Sequence, residues 1–315
     1  MKPIHPKRTI LAAVALSVSL AGCATTGQMQ EPDLYSMLYD GESGAAHGTA
    51  SPVSTPEEAY RHGEAAARAG DYDRALFEYI RGLQMEDEPA AEPLYRIGSI
   101  HDQRNNHELA EMAYRRALEV DPSHPEAGTS LGIMELQRRR YSEAEAQLRA
   151  VTDEGNANWR TYNALGVLAD LQGNADEAVR HYTRALRKDP DNATVLNNLG
   201  YSRYLSGDWR GARDALRRAL RSDPNYEMAW RNLGLVHVRE QAYDDALEAF
   251  GRSGTDAEAY NDIGYVAMLE GRYTDAKFFF EKAMQRSPTF YLTASENVRQ
   301  AERQIRRNSA SRQAY

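Results

Sequence analysis

A single cysteine, Cys23, stands in the whole chain of 315 residues. One thiol excludes an intramolecular disulfide and any metal centre built from several thiolates. β-Branched residues are sparse while Ala, Leu, Arg and Glu recur throughout, which favours helix over sheet. The chain lacks a Gly-x-x-x-x-Gly-Lys phosphate loop, a His-Glu-x-x-His pair and a Gly-x-Ser-x-Gly elbow, and with them the chemistry those motifs carry. No pair of carboxylates stands out by spacing. The expectation is a protein that is not an enzyme, with no cofactor and no metal. Positive charge is also short: 38 Lys and Arg face 46 Asp and Glu, for a net charge of −8. Such a body is a poor phosphate binder, which argues against a nucleic-acid partner. Arg299, Arg303, Arg306, Arg307 and Arg312 are a local exception. They read as a solvated helix face, with a docking patch for an acidic partner as the alternative.

Long hydrophobic runs are missing too, apart from one near the start. Lys2, Lys7 and Arg8 precede an apolar stretch from Ile10 to Leu20, too short to span a hydrocarbon core of ~30 Å as a helix. Leu20-Ala21-Gly22-Cys23 follows directly. Small residues before a cysteine at the end of an apolar region resemble a lipobox, the site where bacterial lipoproteins are acylated and cut. That resemblance implies a leader over residues 1–22, a diacylglyceryl thioether on Cys23 and, after cleavage, an acylated amino group. Several acyl chains together would anchor the protein stably. Ala24, where an aspartate would imply inner-membrane retention, implies the outer membrane, with the body in the periplasm. An ordinary signal peptide, or a plain membrane anchor, with a chance cysteine is the alternative.

Residues 23–54 are rich in Gly, Ser, Thr and Ala without sustained periodicity, as in a flexible linker. A linker of that length spans ~30 Å on average and roughly 100 Å at full stretch. Leu34-Tyr35-Ser36-Met37-Leu38-Tyr39 is one apolar island in it, able to dock on the first repeat, to meet a partner, or to form only a transient turn.

From residue 55 a repeat dominates. Gly63, Gly98, Gly132, Gly166, Gly200, Gly234 and Gly264 recur at spacings of 35, 34, 34, 34, 34 and 30. An alanine lies twelve residues after each (Ala75, Ala110, Ala144, Ala178, Ala212, Ala246, Ala276), and a large apolar residue four further on, such as Tyr182 or Phe250. Asp-Pro or Ser-Pro closes four units, at Pro122, Pro190, Pro224 and Pro288. The pattern resembles the tetratricopeptide repeat over about residues 56–290. It implies an all-α, right-handed solenoid of seven helix-turn-helix units over 55–288, followed by a capping helix and tail over 289–315. Glycine costs up to ~1 kcal/mol in a helix interior, so a close helix–helix contact must offset it. The large residues are expected to fill the layer between units. Unit one departs from the pattern with His62 and Gly82, and is expected to fray. Unit six is four residues short, so its second helix should end early. His101 and His237 fall one turn after the repeat glycine and read as packing residues.

In this family the first helix of each unit lines an inner groove that takes peptides or helices. Carried over by register, the groove candidates are Asn163, Val167 and Asp170 in unit four, and Asn197, Asn198, Tyr201 and Tyr204 in unit five. Unit six gives Arg231, Asn232, Leu235 and Arg239, and unit seven gives Asn261, Tyr265 and Met268. Asn198 and Asn232 match the asparagines that hold ligand backbone in chaperone-binding members, whose carboxylate-clamp lysines are missing here. Tyr201 and Tyr265 could equally pack on the neighbouring helix. Tyr162-Asn163-Ala164-Leu165-Gly166-Val167, Asn197-Asn198-Leu199-Gly200 and Ala259-Tyr260-Asn261-Asp262-Ile263-Gly264-Tyr265 resemble the TadD lipoproteins of tight-adherence (Flp) pilus assembly. That resemblance implies a membrane-bound scaffold whose protein partner is the secretin or another pilus component. A pilotin-like lipoprotein of type IV pili and an envelope adaptor for peptidoglycan-remodelling enzymes are the alternatives.

Overall fold

The computed structural model describes residues 34–39, 52–287 and 291–313, and every regular element among them is an α-helix. A four-residue turn of helix, α1 (Leu34–Met37), precedes seven helix pairs. These are α2 (Pro56–Arg68) with α3 (Tyr72–Leu83), α4 (Ala91–Gln103) with α5 (His107–Val120), and α6 (Pro125–Gln137) with α7 (Tyr141–Asp153). Next come α8 (Trp159–Leu171) with α9 (Ala175–Lys188), α10 (Ala193–Leu205) with α11 (Trp209–Ser222), and α12 (Glu227–Arg239) with α13 (Tyr243–Gly251). The last pair is α14 (Asp256–Leu269) with α15 (Tyr273–Arg286), and α16 (Leu292–Gln313) ends the described chain. The first helix of each pair is called A and the second B.

Local chemistry sets the helix boundaries. Thr55, Asn158, Asn192 and Asp208 cap α2, α8, α10 and α11, each side chain accepting a backbone N–H of the first turn. Pro56 and Pro125 open α2 and α6, where a missing N–H does no harm. A full capping box, Thr255 with Glu258, starts α14. Between A and B in every unit one residue has positive φ: Gly70, Asn105, Arg139, Gly173, Gly207, Gln241 and Gly271. The left-handed residue reverses the chain, and four of the seven units place glycine there.

The repeat glycines act through space rather than through φ. A Cβ added to Gly166 would lie 2.5 Å from the Tyr182 ring, and at Gly234 2.7 Å from Phe250. The other repeat glycines meet Tyr79, Tyr114, Leu148, Leu216 and Phe280 in the same way. The large B-helix residue therefore sits on the bare backbone of its own unit and also fills the layer to the next, Tyr182 packing with Val195 and Leu199 and Phe250 with Ala259 and Ile263. The seven repeat alanines are fully buried beside it. Gly82, the anomaly of unit one, lies under the Tyr60 ring, where no Cβ would fit.

The core is a strip and not a ball. One cluster of buried residues joins units one to three and others follow along the stack. Its ends are covered. At one end Leu38 is fully buried in the first cluster, with Tyr35 and Tyr39 packed against it. The Leu38 carbonyl accepts a hydrogen bond from His101 Nε2 at 2.9 Å. The island therefore docks on the chain's own first repeats, and buried His101 helps to hold it. At the other end α16 lies on α15, burying Ala294 and Ala301, while Lys277 pairs with Glu302 at 3.0 Å. α13 has nine residues where the other B helices have 12 to 14. Residues 1–33, which include Cys23, lie outside the described residues. Among the described residues no helix is long and apolar enough to cross a membrane.

Two glycines of unit four separate space from backbone conformation. Gly166→Ala keeps an allowed φ but has no room, so overpacking should cost about 2–3 kcal/mol. Gly173→Ala finds open space and pays only for its φ of 78°, about 1 kcal/mol. Urea unfolding followed by circular dichroism should show Gly166→Ala as clearly the weaker variant.

Candidate functional site

The A helices form the inner wall. Successive A helices from α6 to α14 touch one another directly, whereas no two successive B helices pack as closely. A stack whose A side is shorter than its B side curves with A inside. The wall is thus built from residues at fixed offsets from each repeat glycine, three before to five after.

Three features occupy it in units four to seven. The first is a chain of amides. Asn232 Nδ2 donates to Asn197 Oδ1 at 2.8 Å, Asn197 Nδ2 to Asn198 Oδ1 at 3.3 Å, and Asn198 Nδ2 to Asn163 Oδ1 at 3.0 Å. Four asparagines from α8, α10 and α12 are thereby spent on one another. Asn197 and Asn232 are buried, so little of their hydrogen-bonding capacity remains for a ligand. Asn261 likewise accepts from Asn297 of α16 at 3.2 Å.

The second feature is a set of locked charges. Asp170 accepts Tyr182 Oη at 2.8 Å and Ser202 Oγ at 2.7 Å, joining α8 to α9 and α10. Burial pushes its carboxyl above the usual carboxylate range, against the two hydrogen bonds. Burial also raises the Tyr182 phenol, with the neighbouring Asp170 charge adding to it. Arg239 lies 2.7 Å from Glu270, and its Nε donates to Tyr204 Oη at 3.2 Å with the guanidinium over the Tyr204 ring. Arg231 faces Asp262 at 3.5 Å.

The third feature is apolar and open. Tyr201 and Tyr265 directly follow their repeat glycines and are 40% and 48% exposed, so neither is consumed by packing. Tyr201 stacks on Tyr204 with ring centroids 6.1 Å apart. Val167 and Leu235 hold the same offset, half-buried. One helical turn further on, Leu171, Leu205 and Leu269 are 55%, 56% and 65% exposed. Sequence reasoning missed these leucines, although each stands five residues after a repeat glycine, just ahead of the turn. Met268, by contrast, is buried and offers the wall nothing. Among the described residues no group of three His, Cys, Asp or Glu is placed to hold a metal ion.

Models of the tetratricopeptide repeat match residues 60–125, 95–158, 129–193, 163–227 and 197–255, and a further one matches 257–290. The chain belongs to the tetratricopeptide-repeat family. Such proteins bind protein or peptide partners, and its curated relatives include the Photosystem I assembly protein Ycf3. The Synechococcus elongatus protein is 28% identical over 142 residues, covering 42% of this chain and 66% of its own length. The Prochlorococcus marinus (strain MIT 9303) protein is 32% identical over 97 residues, 30% of this chain and 56% of its own. The chain thus spans less than two thirds of the length of these relatives. Solved structures share the fold. Pseudomonas aeruginosa PilF superposes with a TM-score of 0.53 at 22% identity, over 67% of this chain and 97% of PilF. A chain of the APC/C hetero-tetramer Cut9–Hcn1 gives 0.57 at 17% identity, over 76% of this chain and 48% of that one.

Asp170→Ala should cost about 1–3 kcal/mol, because it strands the hydroxyls of Tyr182 and fully buried Ser202. The raised carboxyl also has a sign in pH. Its native state holds the proton more tightly than the unfolded chain does, so its contribution is complete below the ordinary aspartate range. That contribution is lost as pH rises through the raised value. Denaturant titrations across mildly acid pH should show this falling limb in the wild type, and Asp170→Asn should flatten it.

Proposed function

We propose that the chain is a membrane-tethered scaffold which holds another envelope protein against the inner wall of units four to seven. The observation that carries this reading is the double row of exposed apolar side chains, Tyr201 with Leu205 and Tyr265 with Leu269, continued by Leu171. Large apolar groups kept in water on one continuous wall are a docking surface. Aromatic anchors among polar neighbours are where interface energy concentrates. The amides beneath them are already paired, and the wall's arginines Arg231 and Arg239 face carboxylates. The partner segment is therefore one that supplies apolar side chains, not a free carboxylate. The family's habit of binding proteins supports the same reading.

The finer assignment follows the lipobox-like Leu20-Ala21-Gly22-Cys23 and the TadD-like strings of the A helices. The scaffold sits at the outer membrane, lipidated on Cys23, and serves assembly of a tight-adherence pilus, with the secretin or a neighbouring component as partner. In the producing bacterium, Cys23→Ser should move the protein out of the membrane fraction. Deletion should abolish surface pili and lower the secretin multimer. Normal piliation in the deletion strain would overturn the pilus assignment. In the purified protein, Tyr201→Ala with Leu205→Ser should leave the helix content unchanged and lower recovery of the native partner at least about tenfold, the scale of removing one or two interface anchors. Undiminished recovery would overturn the groove assignment.

A further inference from the structure

The outer face carries a second surface of opposite chemistry. α9 bears Arg180, Arg184, Arg187 and Lys188 against Asp176 and Glu177, and α11 bears five arginines against Asp214 alone. Eight of these nine cations are exposed. The ninth, Arg213, is half-buried and lies 2.5 Å from Glu240. None of the eight has a carboxylate within ion-pair distance among the described residues. Arg184 lies over the Tyr162 ring and Arg218 donates to the Pro190 carbonyl. Elsewhere in the molecule arginines find acids, as in Arg104–Asp73 and Arg149–Glu145 at 2.6 and 2.7 Å. The cluster is also bounded. α7 before it carries Glu143, Glu145 and Asp153 with one arginine, and α13 after it carries Asp244, Asp245 and Glu248 with no cation.

Register puts these charges on one side. A shift of one 34-residue repeat superposes Arg184 on Arg218 and Arg187 on Arg221. Consecutive units are built alike, so the pairs point the same way from neighbouring B helices. Eight cations without a direct ion pair repel one another, even with Asp191, Asp245 and Glu248 bordering Arg217, Arg218 and Arg221, and an anionic surface lowers that repulsion.

We propose that the B-helix face of units four and five lies against an anionic phospholipid surface. The choice of a membrane rests on the tethered-scaffold reading above. Three observations favour lipid headgroups over an acidic protein or a nucleic acid. The exposed large apolar residues of the protein include none on α9 and only Trp209 on α11. A protein interface would want an apolar centre, whereas a headgroup layer needs none. Attraction to a charged surface fades within ~8–10 Å at physiological salt, so the nearest face counts and the acidic remainder does not. A long polyanion would meet that remainder. Finally, the docked Leu38 shortens the leash: ten residues lie between Cys23 and Leu34, at most ~36 Å of chain, which keeps the body near the bilayer. Seated this way, the B face meets the headgroups and the inner wall opens away from them.

The test uses the unlipidated chain from residue 24 to the end, so that its outcome is independent of acylation. It is sedimented with mixed phosphatidylglycerol–phosphatidylcholine vesicles and with phosphatidylcholine alone. Binding should require phosphatidylglycerol, weaken with added salt, and fall about tenfold or more in the variant Arg184→Glu, Arg187→Glu, Arg217→Glu, Arg221→Glu. The same reversal at Arg299 and Arg303 of α16 should change it little. Circular dichroism of the exposed-site variants should match wild type. Equal sedimentation of the α9/α11 variant overturns the proposal, as does loss confined to the α16 variant. Failure of the wild type to bind the anionic vesicles while it retains an acidic protein or nucleic acid overturns it in favour of that partner. None of these outcomes bears on membrane release by Cys23→Ser, which tests the tether alone.

Discussion

Each unit of this solenoid depends on one contact, a large side chain of helix B resting on the bare backbone of a glycine in helix A. Seven times the same pair recurs, from Tyr79 on Gly63 to Phe280 on Gly264. The glycine gives up helix propensity and backbone entropy so that the helices approach more closely than any Cβ allows. Everything else inherits that spacing. The buried alanines beside the contact are small because the gap is small, and the offsets that reach the inner wall are fixed once the glycine has set the rotation of helix A.

Setting the rotation also divides the chemistry between two faces. Inward offsets carry amides, locked charges and open apolar groups. Outward positions on the B helices carry exposed charge, with cations in excess of acids on α9 and α11. Contacts within the wall rigidify it without filling it: Asp170 ties three helices together, and Arg239 closes Tyr204 against Glu270.

The architecture was legible because its signal is a period, and a period survives local exceptions. The four residues missing from unit six pointed to a shortened second helix, and α13 is that helix. The placement of large residues was harder. Size put Tyr182 between units, where it meets Val195 and Leu199, but the structure also seats it on Gly166 of its own unit. The wall was legible in position but not in state. Register located Asn197, Asn198 and Asn232, yet nothing in a linear string says that amides 35 residues apart in adjacent helices meet each other. Leu171, Leu205 and Leu269 escaped notice for the opposite reason. A leucine at the end of a helix looks like core, and only the geometry of the turn leaves it in water. Docking of residues 34–39 joins buried Leu38 to the first core cluster and its carbonyl to His101, a match that composition cannot display.

The asparagine chain has a direction. Asn232, Asn197 and Asn198 each give an amide nitrogen to the next oxygen along, ending on Asn163, so reversing either inner member would set oxygen against oxygen on one side and nitrogen against nitrogen on the other. The four can only turn over together, and hydrogen bonds in such a series reinforce one another. Three helices from three repeats are thereby pinned as a single plank beneath Tyr201. A ligand arriving there finds a floor already set, and less of its binding energy goes into ordering the receptor.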